Sequence, residues 1–109
     1  MEDRNWHAMY PKFVITGNGE FRFGTVRHHK DLLLHGEHCL GGGYYEFDVV
    51  AMRLLLSGES SDFGAPRWDR IDTLIVPETL FGLRIFYSRG GHLADGDGAL
   101  DEFLKIEYR

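Results

Sequence analysis

Residues 39–64 read CLGGGYYEFDVVAMRLLLSGESSDFG, and this stretch decides the fold that we predict for the chain. It contains two runs rich in large apolar residues, 44–47 and 53–56, which are separated by residues 48–52. Short apolar runs bounded by glycine and polar residues are typical of β-strands. We therefore predict a β-hairpin that is followed by a polar loop. The glycines of residues 41–43 are predicted to interrupt regular secondary structure before the hairpin begins.

A second hairpin is predicted upstream of this stretch. Residues 12–16 are β-branched and aromatic, and in residues 21–26 the side chains Phe, Phe and Thr alternate with others. The sequence Gly-Asn-Gly at residues 17–19 joins the two runs, and a turn of the Asn-Gly type is a good hairpin signal. Lys12 begins the first strand and His29 follows the second, so the hairpin would place both at the same end of the sheet.

Shorter elements are predicted downstream. Pro66 suits the first position of a helix, and apolar residues spaced by three and four predict a short amphipathic helix over residues 67–75. Pro77 would end that helix, and residues 83–87 are rich in strand-forming side chains. Residues 100–108 fit either a helix or a strand, and their periodicity does not decide between the two.

Composition limits the classes of protein that the chain can belong to. Its 109 residues suit one domain, and 14 glycines against 3 prolines indicate many tight turns in a strand-rich fold. The net charge of -5 argues against nucleic acid as a partner. With a single cysteine, no signal peptide and no apolar run of about 18 residues, we expect a cytoplasmic protein that does not cross a membrane.

Histidines are concentrated between residues 28 and 38, where four of the six occur. His35, His38 and Cys39 all carry side chains that bind zinc. However, His35-x-x-His38 is only half of a paired zinc-binding pattern, so solvated loop histidines are the favoured interpretation. We predict no metal site and keep this trio as the alternative.

The glycine-bracketed loop over residues 58–64 is a better candidate for a binding site. Small residues between glycines allow successive backbone N–H groups to face one anion. A lysine and a histidine nearby, Lys12 and His29, would neutralise charge and either move a proton or accept a phosphoryl group. The alternative is an ordinary connecting loop, which the carboxylates of Glu59 and Asp62 favour because they would repel an anion.

Two motifs in this region resemble a known family. Residues 39–43 contain Leu-Gly-Gly-Gly, and residues 58–64 read Gly-x-Ser-x-x-aromatic-Gly after the predicted hairpin. This pair resembles the small phosphohistidine phosphatases, also called the janus/ocnus family. Shorter similarities lie at residues 12–15, which look like the first strand of that family, and at residues 29–32, which look like its histidine element.

The resemblance spans about residues 11–87 of a single domain over 1–109, and leaves residues 88–109 as a C-terminal extension. It implies an α+β fold, in which a mixed β-sheet carries short helices packed on its faces. It also implies a phosphatase without metal or cofactor that hydrolyses phosphohistidine, or a related phosphoramidate, in a phosphorylated protein or a small phospho-compound. In this reading the general base is His29 and the substrate-binding residues are Lys12, Ser60, Ser61 and Asp62.

Two departures from the family keep alternatives open. Only ten residues separate His29 from Leu40, so the first helix must be one turn or absent, and His28 competes with His29 for the site. Asp62 stands where the family has a small neutral residue. The alternative function is therefore a non-catalytic member of the same fold that binds a ligand or a protein.

Overall fold

Eight strands make up about half of the chain that the computed structural model describes, which is residues 9–58, 64, 66–88 and 100–109. The strands are β1 (Tyr10–Thr16), β2 (Phe21–Val26), β3 (Cys39–Asp48), β4 (Arg53–Ser57), β5 (Leu74–Val76), β6 (Arg84–Ser88), β7 (Leu100–Glu102) and β8 (Ile106–Tyr108). Three short 3-10 helices lie at His29–Leu32, Trp68–Arg70 and Glu78–Leu80. Together these elements form one compact domain.

The predicted hairpin between β1 and β2 is confirmed. The two strands pair antiparallel, with Phe13 opposite Phe23. The Thr16 carbonyl oxygen accepts a hydrogen bond of 2.9 Å from the Gly19 N–H, and Thr16 N–H donates to the Glu20 carbonyl oxygen at 2.9 Å. Gly19 has a φ of 87°, which glycine adopts at no steric cost, so the turn signal in the sequence corresponds to a real conformational requirement.

A mixed six-stranded sheet organises the domain, in the order β2-β1-β3-β4-β6-β7. The β3–β4 hairpin is confirmed, with Asp48 opposite Arg53. Strand β6 runs parallel to β4, whereas the other neighbours in this sheet are antiparallel. Strands β5 and β8 pair parallel in a small second sheet. The sequence-based prediction of a mixed sheet is therefore confirmed.

The hydrophobic core fills one face of the large sheet. Side chains on β1, β4 and β6 meet apolar side chains from the small second sheet and from the 3-10 turns, which excludes water from a contiguous cluster. Trp68 closes this layer by stacking on Tyr87, with ring centroids 4.6 Å apart. The buried members are Phe13, Ile15, Phe21, Leu54, Leu56, Ile71, Leu74, Val76, Leu80, Ile85 and Phe103.

The helix predicted over residues 67–75 is wrong. Only Trp68–Arg70 turns, as a 3-10 helix, and Pro66 lies before it rather than inside it. Leu74–Val76 is strand β5, because its three apolar, mostly β-branched residues pair with β8 beneath the core. The three-and-four spacing of apolar residues arises from a turn followed by a buried strand, and tertiary pairing overrides the helical period.

Two further expectations need correction. The glycines of residues 41–43 do not interrupt the secondary structure. They lie inside β3, where they pair with β1. The helices that the resemblance implies are, within the described residues, only the three 3-10 turns. The segment of residues 100–108, left open by its periodicity, contains the two short strands β7 and β8. The first helical segment, His29–Leu32, is a single turn, as the short spacing to Leu40 predicted.

Candidate functional site

A lysine ammonium lies buried on the face of the sheet opposite the core. Lys12 projects from β1 on that face, and it is only 2% exposed. Its Nζ donates to the carbonyl oxygen of Arg27 and lies 5.9 Å from the centre of the Tyr10 ring. Among the described residues, no carboxylate forms an ion pair with Lys12. A buried charge usually requires such a partner, so this ammonium is suited to meeting an anion.

The candidate base, His29, is equally buried, at 2% exposure. Its Nε2 lies 2.9 Å from the carbonyl oxygen of Gly43. Because a carbonyl oxygen only accepts hydrogen bonds, Nε2 carries a proton, and in the neutral ring the lone pair then resides on Nδ1. This bond fixes both the ring orientation and the tautomer, which is what a general base requires.

Two hydrogen-bonded contacts hold the turn that carries His29. At its start, the His28 N–H donates to Asp31 Oδ2 at 3.1 Å and the Asp31 N–H donates to the His28 carbonyl oxygen at 3.0 Å. Beyond the turn, the Arg22 guanidinium on β2 binds both carboxylate oxygens of Glu37, at 2.5 and 2.7 Å. This bidentate pair ties the segment after the turn to the sheet, so His29 stays over β3.

Glycines in the sheet make room for the turn. A methyl group on Gly42 would lie 2.7 Å from the Phe13 carbonyl oxygen and 3.1 Å from His29 Cδ2. At Gly24, a methyl group would meet nothing closer than Leu32 Cδ2, at 3.4 Å. The triple-glycine motif therefore has a local explanation, since the imidazole lies directly on the β3 backbone at Gly42.

Tyr44 joins the two predicted residues, and sequence analysis missed it. It stands opposite Lys12 in the β1–β3 register, and its ring centre is 5.5 Å from that of His29 and 6.4 Å from that of Tyr10. On its other side Tyr44 faces Ser57 of β4. No sequence signal marks Tyr44, because its role depends on the pairing of strands that are distant in the chain.

Ser57 is the second residue that sequence analysis missed. It is almost fully buried, on the same face of the sheet as Lys12 and Tyr44, because directly opposed residues project to the same side. The described part of the chain offers no hydrogen bond to the Ser57 hydroxyl. Buried hydroxyls are usually paired, so Ser57 is a further polar group able to contact a bound molecule.

The described flanks of the predicted phosphate loop also meet β3 beside His29. Ser57, before the loop, pairs with Tyr44, and the carbonyl oxygen of Gly64, the last residue of the loop, accepts a 3.1 Å hydrogen bond from the Gly42 N–H. The loop residues assigned to substrate binding, Ser60, Ser61 and Asp62, lie outside the described residues.

The other histidines do not converge with this site. His28 is the residue that precedes the turn and is half-buried, so the structure brings His29 rather than His28 onto Gly43. His35 and His38 are exposed. Within residues 9–58, 64, 66–88 and 100–109, no three His, Cys, Asp or Glu side chains are grouped so that they could hold a metal ion.

Cys39, at the start of β3, is not an activated nucleophile. Burial raises the pKa of its thiol above the ordinary value of 9.0. The thiol lies 3.3 Å from the Gly41 carbonyl oxygen, to which it donates. Because only the thiolate reacts readily, the protonated Cys39 has a packing role.

Arginine side chains lower the pKa of three carboxyl groups. Hydrogen bonding to Arg22 holds the pKa of Glu37 below its usual value. In the same way, Arg53 lowers the pKa of Asp48, and Arg84 lowers the pKa of Glu102. The last two pairs join neighbouring strands, β3 to β4 and β6 to β7, so these carboxylates support the fold rather than the site.

Acid is expected to destabilise the domain through these carboxyl groups. Because the folded-state pKa of Glu37 lies below its ordinary 4.5, the unfolded chain binds this proton more tightly than the folded chain. The stabilisation is complete above pH 4.5 and is lost as the pH falls through the lowered value. Urea unfolding across this range should show a falling free energy, with a shallower fall in Glu37→Gln. Identical acid profiles for the two proteins would contradict the assignment.

Comparisons of the chain with family models, curated proteins and solved structures find no match in any of the three. The class that the structure defines is a compact domain built on a mixed β-sheet with short 3-10 turns. No helix among the described residues is both long enough and apolar enough to span a bilayer.

Proposed function

We propose that the chain hydrolyses phosphohistidine or a related phosphoramidate, with His29 as the general base and Lys12 as the phosphate-binding cation. The phosphoryl group would meet the face of the sheet formed by β1 and β3, next to Tyr44. The resemblance of two sequence motifs to the phosphohistidine phosphatases suggests the reaction class. The geometry of Lys12 and His29 supports it independently.

The observation that carries the proposal is the uncompensated charge of Lys12. An ammonium that is removed from water, bonded to one carbonyl oxygen and without a carboxylate in the described chain is unfavourable by itself. A bound phosphoryl group would supply the missing negative charge. In a site from which water is excluded, that attraction is stronger than at the surface.

The chemistry needs one general base and no metal ligand from the chain. A water oxygen forms a bond to phosphorus while the bond between phosphorus and the substrate nitrogen breaks. One proton of that water passes to His29, which later releases it to solvent, and the departing nitrogen takes up a proton from solvent, which gives inorganic phosphate and the free amine or imidazole. Lys12 stabilises the negative charge on the phosphoryl oxygens during transfer.

Substitution of His29 tests this assignment directly. In an assay of phosphate release from a phosphohistidine peptide, His29→Ala is expected to lower the rate by at least ~100-fold, the usual contribution of general acid–base catalysis. His35→Ala is the matched control, because it removes an exposed histidine and should leave the rate unchanged. Equal rates in His29→Ala and the parent, or no release by the parent, would refute the proposal.

Deep burial of both groups favours a second candidate, a binding domain without turnover. Lys12 and His29 are each 2% exposed, and such positions suit an anion that is held rather than processed. The two functions separate in one experiment, in which inorganic phosphate is titrated while amide NMR signals of Gly42 and Tyr44 are followed. Shifts without phosphate release from the peptide would support the binding domain.

A further inference from the structure

A cleft opens between the edge of the large sheet and the small second sheet. Strand β2 is the edge strand of the large sheet, and the residue before it, Glu20, forms a single parallel bridge to Ile75 of β5. Beyond this bridge the two strands separate around a cavity of about 560 Å³, a volume typical of ligand-binding clefts. Its walls include Phe23 of β2 and Pro77, which follows β5. We call this cavity the edge cleft.

A proline explains why the pairing between β2 and β5 ends. At the bridge, the Ile75 N–H donates to the Gly19 carbonyl oxygen at 2.9 Å. In a parallel ladder the next donor on this side of β5 would be residue 77, aimed at the carbonyl oxygen of Phe21. Pro77 has no N–H. Its carbonyl oxygen, which would accept from the Phe23 N–H, already accepts a 2.9 Å hydrogen bond from the last residue of the third 3-10 turn. Both bonds of the next bridge are therefore lost.

The open edge of β2 presents backbone groups that face away from β1. In an antiparallel pair, successive residues alternate between bonding the partner strand and pointing outward. The Thr16 N–H bonds the Glu20 carbonyl oxygen at 2.9 Å, so the even-numbered residues of β2 face β1 and the odd-numbered residues face outward. Within the described chain, no strand pairs with the outward groups of Phe23 and Thr25 or with the carbonyl oxygen of Phe21. Such an edge is a template for a further strand.

The second wall of the edge cleft limits what can bind there. The cleft is bounded by β2 on one side and by β5 and Pro77 on the other. A folded domain that offers the edge of its own sheet would collide with the second wall. A single extended segment fits, because it needs no neighbouring strand on its other side. Its N–H and C=O groups have the spacing of the β2 edge, and strand addition of this kind is one of the recurring modes of peptide recognition.

An aromatic surface suits apolar side chains on one face of such a segment. A residue placed opposite Phe23 projects to the same side of the sheet as Phe23, which is the core side. There the half-buried Phe23 ring packs against Phe21 at 5.5 Å and against Tyr45 at 5.4 Å between ring centres. An apolar side chain that covers the Phe23 ring would remove its remaining exposed surface from water.

Carboxylates outnumber free cations on the opposite face of the edge cleft. Arg22 on that face is already bound by two carboxylates, Glu37 at 2.5 Å and Glu20 at 3.0 Å. Arg109, on the far wall, is paired with a neighbouring glutamate at 2.8 Å. Asp31 also lines the cleft and is exposed, and among the described residues no arginine or lysine pairs with it. A basic side chain on the bound segment therefore complements this face.

We propose that the edge cleft binds an extended segment of another protein, which adds to β2 as a strand and alternates apolar with basic side chains. The backbone of the segment bonds the outward groups of Phe23 and Thr25. Its apolar side chains cover the Phe23 ring, and its basic side chains face Asp31. This inference does not depend on the proposed phosphatase activity, because it uses neither Lys12 nor His29.

NMR titration of the full chain tests the contact, with a six-residue peptide of alternating valine and lysine that is acetylated and amidated. The amide signals of Phe23 and Thr25 are expected to shift most. At saturation the Phe23 amide hydrogen should exchange at least ~10-fold more slowly, because it is then hydrogen-bonded. The same peptide with glutamate in place of lysine should bind at least ~3-fold more weakly, because it brings like charges to Asp31.

Two N-methylated forms of the peptide distinguish strand addition from unspecific binding. One form carries the methyl groups on the valine nitrogens and the other on the lysine nitrogens. Only alternate amides of an added strand face β2, so one form should lose at least ~10-fold in affinity while the other binds nearly as well as the parent peptide. The form that loses affinity also shows whether the strand runs parallel or antiparallel to β2.

Thr25→Pro tests the protein side of the same hydrogen bonds. It removes one outward N–H without removing a bond to β1, and proline is tolerated on edge strands. The affinity for the valine–lysine peptide should fall about 3–10-fold. Thr25→Ala is the matched control, because it loses the same hydroxyl but keeps the N–H, and should bind like the parent. Circular dichroism confirms that both variants fold.

Three outcomes would overturn the proposal. The first is the absence of shifts at Phe23 and Thr25 at ~5 mM peptide, where a dissociation constant of about 1 mM would be evident. The second is equal binding by the two N-methylated forms. The third is a chain that sediments as a dimer and already protects the Phe23 amide without peptide, which would place a second copy at this edge. A failure to release phosphate would refute the phosphatase alone and leave the peptide titration unaffected.

Discussion

Gly42→Ala is expected to destabilise the domain and to displace His29. The added methyl group would lie 2.7 Å from the Phe13 carbonyl oxygen, a backbone atom that cannot move without disturbing the β1–β3 pairing. It would also press on His29 Cδ2 at 3.1 Å. Overpacking of this kind costs about 2–3 kcal/mol. Urea unfolding measures that loss, and the NMR signals of the His29 ring report its displacement.

Gly24→Ala provides the control for this substitution. Gly24 lies on the same face of the sheet, but its nearest neighbour to an added methyl group is the flexible end of Leu32, at 3.4 Å. Alanine there should change the free energy of unfolding by less than about 1 kcal/mol. If the two alanine variants are equally stable and both keep the His29 signals of the parent, then β3 does not need a glycine under the imidazole.

Local signals were enough to predict both hairpins. The Asn18-Gly19 turn fixes a tight connection in which glycine takes a positive φ, and the two flanking runs alternate correctly between the faces of the sheet. The β3–β4 hairpin follows from two apolar runs and a short connection. Each hairpin depends on residues close together in the chain, so the sequence pattern contains the necessary information.

The elements that the sequence did not predict depend on distant pairing. Strand β5 was interpreted as the end of a helix, because Leu74 and Ile75 continue the spacing of Trp68 and Ile71. Its strand conformation comes from pairing with β8, about thirty residues later in the chain. The parallel contact of β4 with β6 has the same origin. Propensity within a short window cannot determine either one.

The residues of the candidate site also form two groups, those that local sequence predicts and those that depend on pairing between distant strands. Lys12 and His29 were predicted, because a hairpin with strong local signals relates them. The triple glycine was recognised as a motif, but its contact with the imidazole at Gly42 was not, since that contact requires the turn to fold back over β3. Tyr44 and Ser57 join the site only through the register of neighbouring strands, and nothing in their local sequence marks them.

Lys12→Met is expected to stabilise the unliganded domain while it removes anion binding. Methionine has a similar length and can fill the space between the Tyr10 ring and the sheet without carrying a charge. Replacing a buried ammonium that has no carboxylate partner in the described chain should raise the free energy of unfolding by about 1–2 kcal/mol. The same change should weaken the binding of inorganic phosphate at least ~10-fold, because the compensating cation is gone.

Lys30→Met is the control for the loss of one positive charge. Lys30 lies in the same 3-10 turn as His29 but is exposed, so its substitution should alter neither stability nor phosphate affinity appreciably. Urea unfolding and phosphate titration by NMR are measured on both variants. A Lys12→Met protein that binds phosphate like the parent would show that the ammonium does not contact the anion. A less stable Lys12→Met protein would show that the Arg27 hydrogen bond and the Tyr10 contact outweigh the burial of the charge.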